Sequence, residues 1–297
     1  MYPRHILLAF LVAELSVSSV RAGEGTGKVS KVPVPTPPKF HVEDASQYGL
    51  EIATYADRYD SGWVDEVSQG SMTLYDADGD SVRRSYLRKS LEFEKKGDKT
   101  VIKFLSPAEI KGVSALTHEN PGSSDDNWLY LPASKRVRRI SGANNTASFQ
   151  GTEFTYEDLS NIDPREYKWR HLGKATVKRG TKDEPVFKLD ARPTYKDTGY
   201  SRLVVYIHQT TWRQERIEYY DKAGKLLKTR NSSGWRLVHS RFWRPRIIEM
   251  TNHQTGKRTK LMTPKLFLNL SLYPSKRTGK SRKNLTESSF TTRAIQS

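Results

Sequence analysis

Apolar and aromatic side chains recur at spacings of three and four only near the start of the chain; beyond that they alternate with polar ones. Tyr48, Ile52, Tyr55 and Tyr59 fall on one stripe of a helix, with Asp44 and Ser46 available as caps. That spacing predicts one short amphipathic helix over 43–59, slightly weakened by Gly49 inside it. Beyond Asp65 the pattern changes to successive short strands. They are expected at 72–75, 81–93, 100–105, 113–118, 128–131, 136–140, 167–177, 186–191, 202–208, 215–220, 226–229, 235–239, 246–250 and 257–262. Turn signals separate them at 76–79, 96–98, 221–224 and 252–256. Residues 158–164 carry cap-type side chains (Asp158, Asn161, Asp163) and read as a short helix or turn. Strands so closely spaced, with turns instead of helices between them, predict a mainly β domain over 43–297 built on a single curled antiparallel sheet or barrel.

Composition agrees with that class. Hydrophobic residues make up 35% and charged residues 28%, low for a densely packed α/β enzyme but enough for a β domain with one buried face. Residues 1–22 read as a signal peptide: Arg4 and His5 precede an apolar run over 6–13, and Val20-Arg21-Ala22 fits a small-x-small cleavage site. The run is about eight residues, short of the ~20 needed to span a bilayer. Residues 23–42, with Pro33, Pro35, Pro37 and Pro38, read as an extended linker. The chain has no Cys, so neither disulfides nor an acylated cysteine is expected. The formal charge is +17; Arg4, Glu14 and Arg21 carry a net +1, leaving +16 after the leader. In an exported protein that charge points to an anionic membrane surface or lipid headgroup, not to nucleic acid. The basic stretch 274–283 reads either as a solvated loop or as an electrostatic tether to such a membrane.

The densest chemistry lies between Phe104 and Leu159. Trp128 and Tyr130, at i and i+2, face one side of a strand, and Leu129 and Leu131 face the other. An arginine strand follows (Arg136, Arg138, Arg139), then a glycine-punctuated aromatic segment (Phe149, Gly151, Phe154, Tyr156). Asp125 and Asp126 read as a solvated loop, since two adjacent carboxylates lack the ligand spacing of a calcium site. The seven His are dispersed with no H-E-x-x-H, and no G-x-S-x-G or phosphate loop occurs. No catalytic, metal or cofactor residue is therefore assigned. A hydrolase built from carboxylates that only the fold brings together stays open.

The ordered series Pro107, Lys111-Gly112, 128–132 (WLYLP), Arg138-Arg139-Ile140, Phe149-x-Gly151-x-x-Phe154 and Tyr156-Glu-Asp158 resembles the outer-membrane lipoprotein-sorting family, the LolA/LolB-like carriers and especially their longer branch. The resemblance continues through 200–205, 217–228, 250–259 and 290–293, covering about residues 69–295. It implies a half-open β-barrel of roughly eleven antiparallel strands, with helices lidding an apolar cavity. It further implies a periplasmic, non-enzymatic carrier of an acylated lipoprotein or other hydrophobic cargo, with an inner-membrane transporter as a further expected partner. This chain is longer and more basic than a minimal carrier. On that footing Trp128, Tyr130 and Leu131 are expected to line the cavity, Arg138 and Arg139 to hold a headgroup at its mouth, and Phe149, Phe154 and Tyr156 to form a flap. Against each stands a plainer reading: aromatics in an ordinary core, arginines paired with Glu153, Glu157 or Asp158, and an ordered loop at the barrel end. A basic exported adaptor whose cavity is filled by its own side chains is the alternative function. A long apolar pocket would separate the carrier from the adaptor, and a close carboxylate pair in a polar cleft would favour the hydrolase.

Overall fold

The computed structural model describes residues 33–93, 96–140, 142–269 and 285–296. The expected signal peptide, the first part of the linker and the basic stretch 274–283 lie outside the described residues. Helix α1 (Ala45–Asp60) begins where the cap signal placed it. The Asp44 carboxylate accepts hydrogen bonds from Ser46 N at 2.8 Å and Gln47 N at 3.1 Å, satisfying amides that the first turn leaves unpaired. The second half of the expected linker is packed, because Phe40 joins the core beside Trp212 and Tyr55 donates its hydroxyl to Pro35 O at 2.6 Å.

Fifteen strands follow: β1 (Asp65–Tyr75), β2 (Ser81–Leu91), β3 (Lys99–Ser106), β4 (Ser114–Asn120), β5 (Ser123–Leu131), β6 (Arg136–Ile140), β7 (Tyr167–Arg179), β8 (Lys182–Pro193), β9 (Arg202–His208), β10 (Gln214–Tyr220), β11 (Leu226–Ser233), β12 (Arg236–Val238), β13 (Phe242–Arg244), β14 (Ile247–Asn252) and β15 (Arg258–Leu268). Thirteen form one antiparallel sheet in the order β6-β5-β4-β3-β2-β1-β15-β14-β11-β10-β9-β8-β7, and β12–β13 form a separate hairpin. The edges β6 and β7 do not pair, so the sheet stays open. One α-helix, not several, lies against it among the described residues.

The inner face carries two apolar clusters. Ile52, Ala53 and Ala56 of α1 pack on Phe187, Leu189, Ile207, Ile217 and Met250; farther along, Met72, Tyr86, Phe104, Ala115 and Leu129 form the second. Leu261 joins them, standing opposite Met72 on β1 and Ile248 on β14. The outer face over β2–β6 has its own cover, the C-terminal residues Leu285, Phe290 and Ile295.

Two departures from the alternation have polar causes. β1 starts seven residues before the expected strand because Glu66 and Ser68 point inward; Glu66 is buried against Arg88 (2.9 Å) and Arg244 (3.4 Å). β5 starts at Ser123, so Asp125 and Asp126 lie in a strand and not in the expected loop. Gly49 is where α1 meets β7. A Cβ there would sit 2.7 Å from His171 N and 2.8 Å from Arg170 C, both backbone atoms that cannot rotate away. The cost of glycine inside a helix is thus accepted for contact distance. Gly49→Ala, despite its better helix propensity, is expected to destabilise by about 1–2 kcal/mol in urea titration through overpacking.

Candidate functional site

Residues 142–166 connect β6 to β7, the two unpaired edges, and their course determines what the inner face can hold. Three short 3-10 turns (Gly142–Thr146, Glu157–Leu159, Pro164–Glu166) shape the segment. Phe149, Phe154 and Tyr156 are 0%, 6% and 5% exposed. Phe149 stacks on Phe104 with ring centroids 5.7 Å apart, and Tyr156 meets Phe149 edge-on at 5.6 Å. Phe154 lies in the other inner cluster, and Leu159 touches both. The expected flap therefore does not close over a cavity; it fills the space. Aromatic side chains bury large apolar areas, and the two inner clusters offer apolar surface to all three rings.

The backbone of this plug pairs within itself, Phe149 N to Phe154 O at 2.7 Å and Tyr156 N to Ala147 O at 3.3 Å. The sheet holds it through side chains. Arg84 donates to Gln150 O at 2.5 Å, Thr259 Oγ1 accepts from Glu153 N at 3.0 Å, and Asn252 donates to the Glu153 carboxylate at 2.8 Å. The strongest peg is ionic. Lys228 Nζ lies 2.5 Å from Asp158 Oδ2, with the two side chains only 3% and 1% exposed. The ammonium also donates to Glu153 O at 3.0 Å and stands over the rings of Tyr200 (5.3 Å) and Tyr219 (5.4 Å). Tyr200 in turn donates to Asp158 Oδ1 at 2.8 Å. Glu157 accepts from Tyr195 OH at 2.6 Å and Gly199 N at 2.9 Å, and burial raises its pKa.

The fold splits the residues expected to share one cavity. Leu131 is on the inner face with Leu129, beside the plug. Trp128 and Tyr130 are on the outer face with Leu116, Val101 and Val137, under the C-terminal residues Phe290 and Ile295. They cannot line the same trough as Leu131, Phe149, Phe154 and Tyr156, because alternate residues of a strand face opposite sides. The arginines separate in the same way. Arg139 stands opposite Trp128 and is ion-paired with Asp126, a carboxylate not among its expected partners. Arg138 stands opposite Leu129, shares its side with Ile140, and remains exposed at the inner rim near Tyr156. The Asp158–Lys228 peg was not expected. Both residues stand in the motif series, yet nothing in either motif joins them.

A polar pocket of about 120 Å³ opens where the β2–β3 and β4–β5 turns meet the end of α1 and the exit of the plug. Glu92, Asp98, Glu119, Asp125, Asp163 and Glu166 line it, with Arg165 as the cation. Burial pushes Glu92 and Glu119 up to about 8 and Glu166 up to about 7. Gly97 is required there, because a Cβ on it would overlap Glu119 O and its own φ is +78°. Among the described residues no group of His, Asp or Glu is arranged to hold a metal ion. A second pocket, about 40 Å³, lies beside it and includes Asn145, Glu157 and Tyr195. Pockets that enclose even a drug-sized ligand measure roughly 300–1,000 Å³, so neither of these would admit a lipid.

Comparison with known proteins places these features. A family profile described as a protein of unknown function (DUF1329) matches residues 9–178, and another described only as an uncharacterized protein matches 96–275. A crystal structure described as an outer membrane lipoprotein-sorting protein domain, from Vibrio parahaemolyticus, is 36% identical over 85% of this chain and all (100%) of its own, with a TM-score of 0.77. A DUF1329 family protein from Desulfovibrio piger is 27% identical, covering 85% of this chain and 99% of its own, with a TM-score of 0.74. A LolA superfamily protein from Nitrosomonas europaea shares the fold at 17% identity, with a TM-score of 0.61 over 82% of this chain and 98% of its own. No curated protein matches the sequence.

Proposed function

The chain belongs to the DUF1329 family, and from that membership and its LolA-like sheet we propose that it is a periplasmic, non-enzymatic carrier that takes an acyl chain or similar hydrophobic group onto its inner face. The observation that carries the reading is the plug. An apolar face spanning both inner clusters is covered by a segment that, among the described residues, makes no backbone–backbone hydrogen bond to the sheet across 147–160 and is held there by side chains alone, so the segment can leave without breaking a ladder of the sheet. In this reading Phe149, Phe154, Tyr156 and Leu159 stand where cargo would lie, and Leu131 is part of the wall. Arg138 at the rim meets a phosphate or carboxylate headgroup. Cargo release is the return of the plug.

Magnitudes set the cargo. Uncovering these four side chains costs roughly 6–12 kcal/mol, and each buried methylene contributes about 0.8 kcal/mol, so a chain of about sixteen carbons outweighs the plug and one of about four does not. Because the protein has no Cys, Glu153→Cys with Asn252→Cys places a single pair of thiols where plug and sheet side chains meet, and oxidation, verified by loss of free thiol, ties the plug to the sheet. A fluorescent sixteen-carbon acyl probe is expected to bind the reduced form and not the oxidised one. Equal binding in both, or none in either, would overturn the carrier.

The carboxylate pocket favours a second reading, a hydrolase in which Glu92 or Glu119, protonated near neutral pH, acts as general acid. Glu119→Gln would leave probe binding intact under the first reading and abolish turnover under the second.

A further inference from the structure

The sheet's outer face holds a patch that the carrier reading leaves unused. Residues opposite one another in a ladder share a face, and the row running outward from the C-terminal cover is Leu116, Val101, Lys89, Val67 and Phe267. Phe290 and Ile295 cover the first two. Among the described residues the C-terminal cluster reaches no farther along this row, and Phe267 at the far end is 48% exposed. The adjacent row contains Lys103, Leu87, Gln69 and Lys265. Beyond the irregularity at Gly70 the rows continue with Ser71 beside Met262, 43% exposed, and with Arg83, Thr73 and Lys260. From Lys89 to Lys260 these rows contain five cations and no carboxylate. Two acids border them: Asp65, two residues before Val67 on the same face, is buried, and Glu249, opposite Lys260, is paired with Arg258.

We propose that this outer patch, Phe267 and Met262 set among Lys89, Lys103, Lys265, Arg83 and Lys260, docks the protein on an anionic phospholipid bilayer. The charge pattern selects a negative surface, to which each nearby cation contributes attraction. The exposed Phe and Met select a bilayer over a purely ionic polymer, since apolar side chains gain only where they can enter below the headgroups. The ladder pairing presents all of these side chains on one side of the sheet. Docking through the outer face leaves the inner face and the Arg138 rim turned away from that membrane. The inference is independent of what the inner face carries.

The test is co-sedimentation of the full chain with vesicles of phosphatidylglycerol and phosphatidylethanolamine, against phosphatidylcholine vesicles. Lys89→Glu with Lys265→Glu is expected to weaken binding at least about tenfold. An equal charge reversal on the exposed side of β7, Lys168→Glu with Arg170→Glu, controls for net charge and is expected to change it less than about threefold. Phe267→Ser with Met262→Ser should lower binding that survives added salt, because the residual attraction is apolar. All substituted side chains are on the surface, and thermal melting of each variant checks that the fold is unchanged. Three outcomes overturn the proposal: the β7 control losing as much as the patch variant, all variants binding like the parent, or duplex DNA displacing the vesicles while the Phe267/Met262 variant binds normally. A dimer in sedimentation that the Phe267/Met262 variant dissolves would also overturn it, making a second copy the occupant.

Discussion

Lys228→Met is expected to lower the free energy of unfolding by about 3–5 kcal/mol, because it leaves Asp158 as an uncompensated charge in the interior. Asp158 keeps hydrogen bonds from Thr155 N (2.7 Å) and Tyr200 OH, which hold the carboxylate in place without neutralising it. For a domain of this length the loss corresponds to a fall of roughly 10 °C in the melting temperature. Asp158→Leu combined with Lys228→Met should recover much of the deficit, since an apolar pair of similar volume has no desolvation cost to offset. The plug should respond first: amide exchange across 147–160 should accelerate in Lys228→Met more than exchange in β8 and β9. Uniform acceleration would mean that the pair supports the sheet as a whole and not the plug. The same variant bears on the proposed function, because a loosened plug should take up the acyl probe faster while the protein remains folded.

The second expected result is a stability that falls as pH rises through neutrality. Glu92 and Glu119 are held up to about 8 and Glu166 up to about 7 by burial, reinforced by the negative charge of Asp98 beside the first two and of Asp125 and Asp163 beside the third, against an ordinary value of 4.5. The folded protein therefore binds these protons more tightly than the unfolded chain does. Their contribution is complete below about pH 4.5 and is lost progressively up to about pH 8, after which both states are ionised. For one half-buried group the loss is on the order of 2 kcal/mol once solvent screening is allowed for. Glu119→Gln keeps the acceptor for Asn161 N, which Glu119 Oε1 meets at 3.0 Å, and removes the charge. The variant should be more stable than the parent in urea titration at pH 9 and no more stable at pH 4.5. Burial lowers the pKa of His118, His171 and His208, which adds stability only up to about pH 6.5. A parent whose stability rises between about pH 7 and 8, or a Gln variant with an unchanged pH profile, would show that the carboxylates are solvated.

Period-two alternation located nearly every strand of the sheet, because each has one face against an apolar layer. Where that layer is polar the signal failed, as at Glu66 and Ser68: Glu66 is matched by Arg88 of the neighbouring β2 and by Arg244 of the distant β13, and the Ser68 hydroxyl donates to Glu66. The second strand of the β12–β13 hairpin was missed for a related reason. Arg241 and Arg244 are buried, and buried arginine looks like surface in a sequence. The helix was legible from its stripe and its Asp44 cap, although Gly49 counted against it until its contact with β7 explained it.

The candidate site divides along the same line. From residue order alone, Trp128 and Tyr130 had to face away from Leu129 and Leu131, and Arg138 away from Arg139, because side-chain direction in a strand is local geometry. Which of the two faces was the inner one could not be read locally. It was decided by where the chain between β6 and β7 runs and by where residues 285–296 come back, both long-range packing choices. The Asp158–Lys228 pair spans 70 residues, and the carboxylate pocket draws on four segments far apart in sequence. Alternation, caps, turns and net charge are properties of neighbours along the chain, so the sequence determined them. The filled inner face, the ionic peg, the acidic pocket and the outer basic patch are properties of neighbours in space, which only the closed tertiary structure brought together.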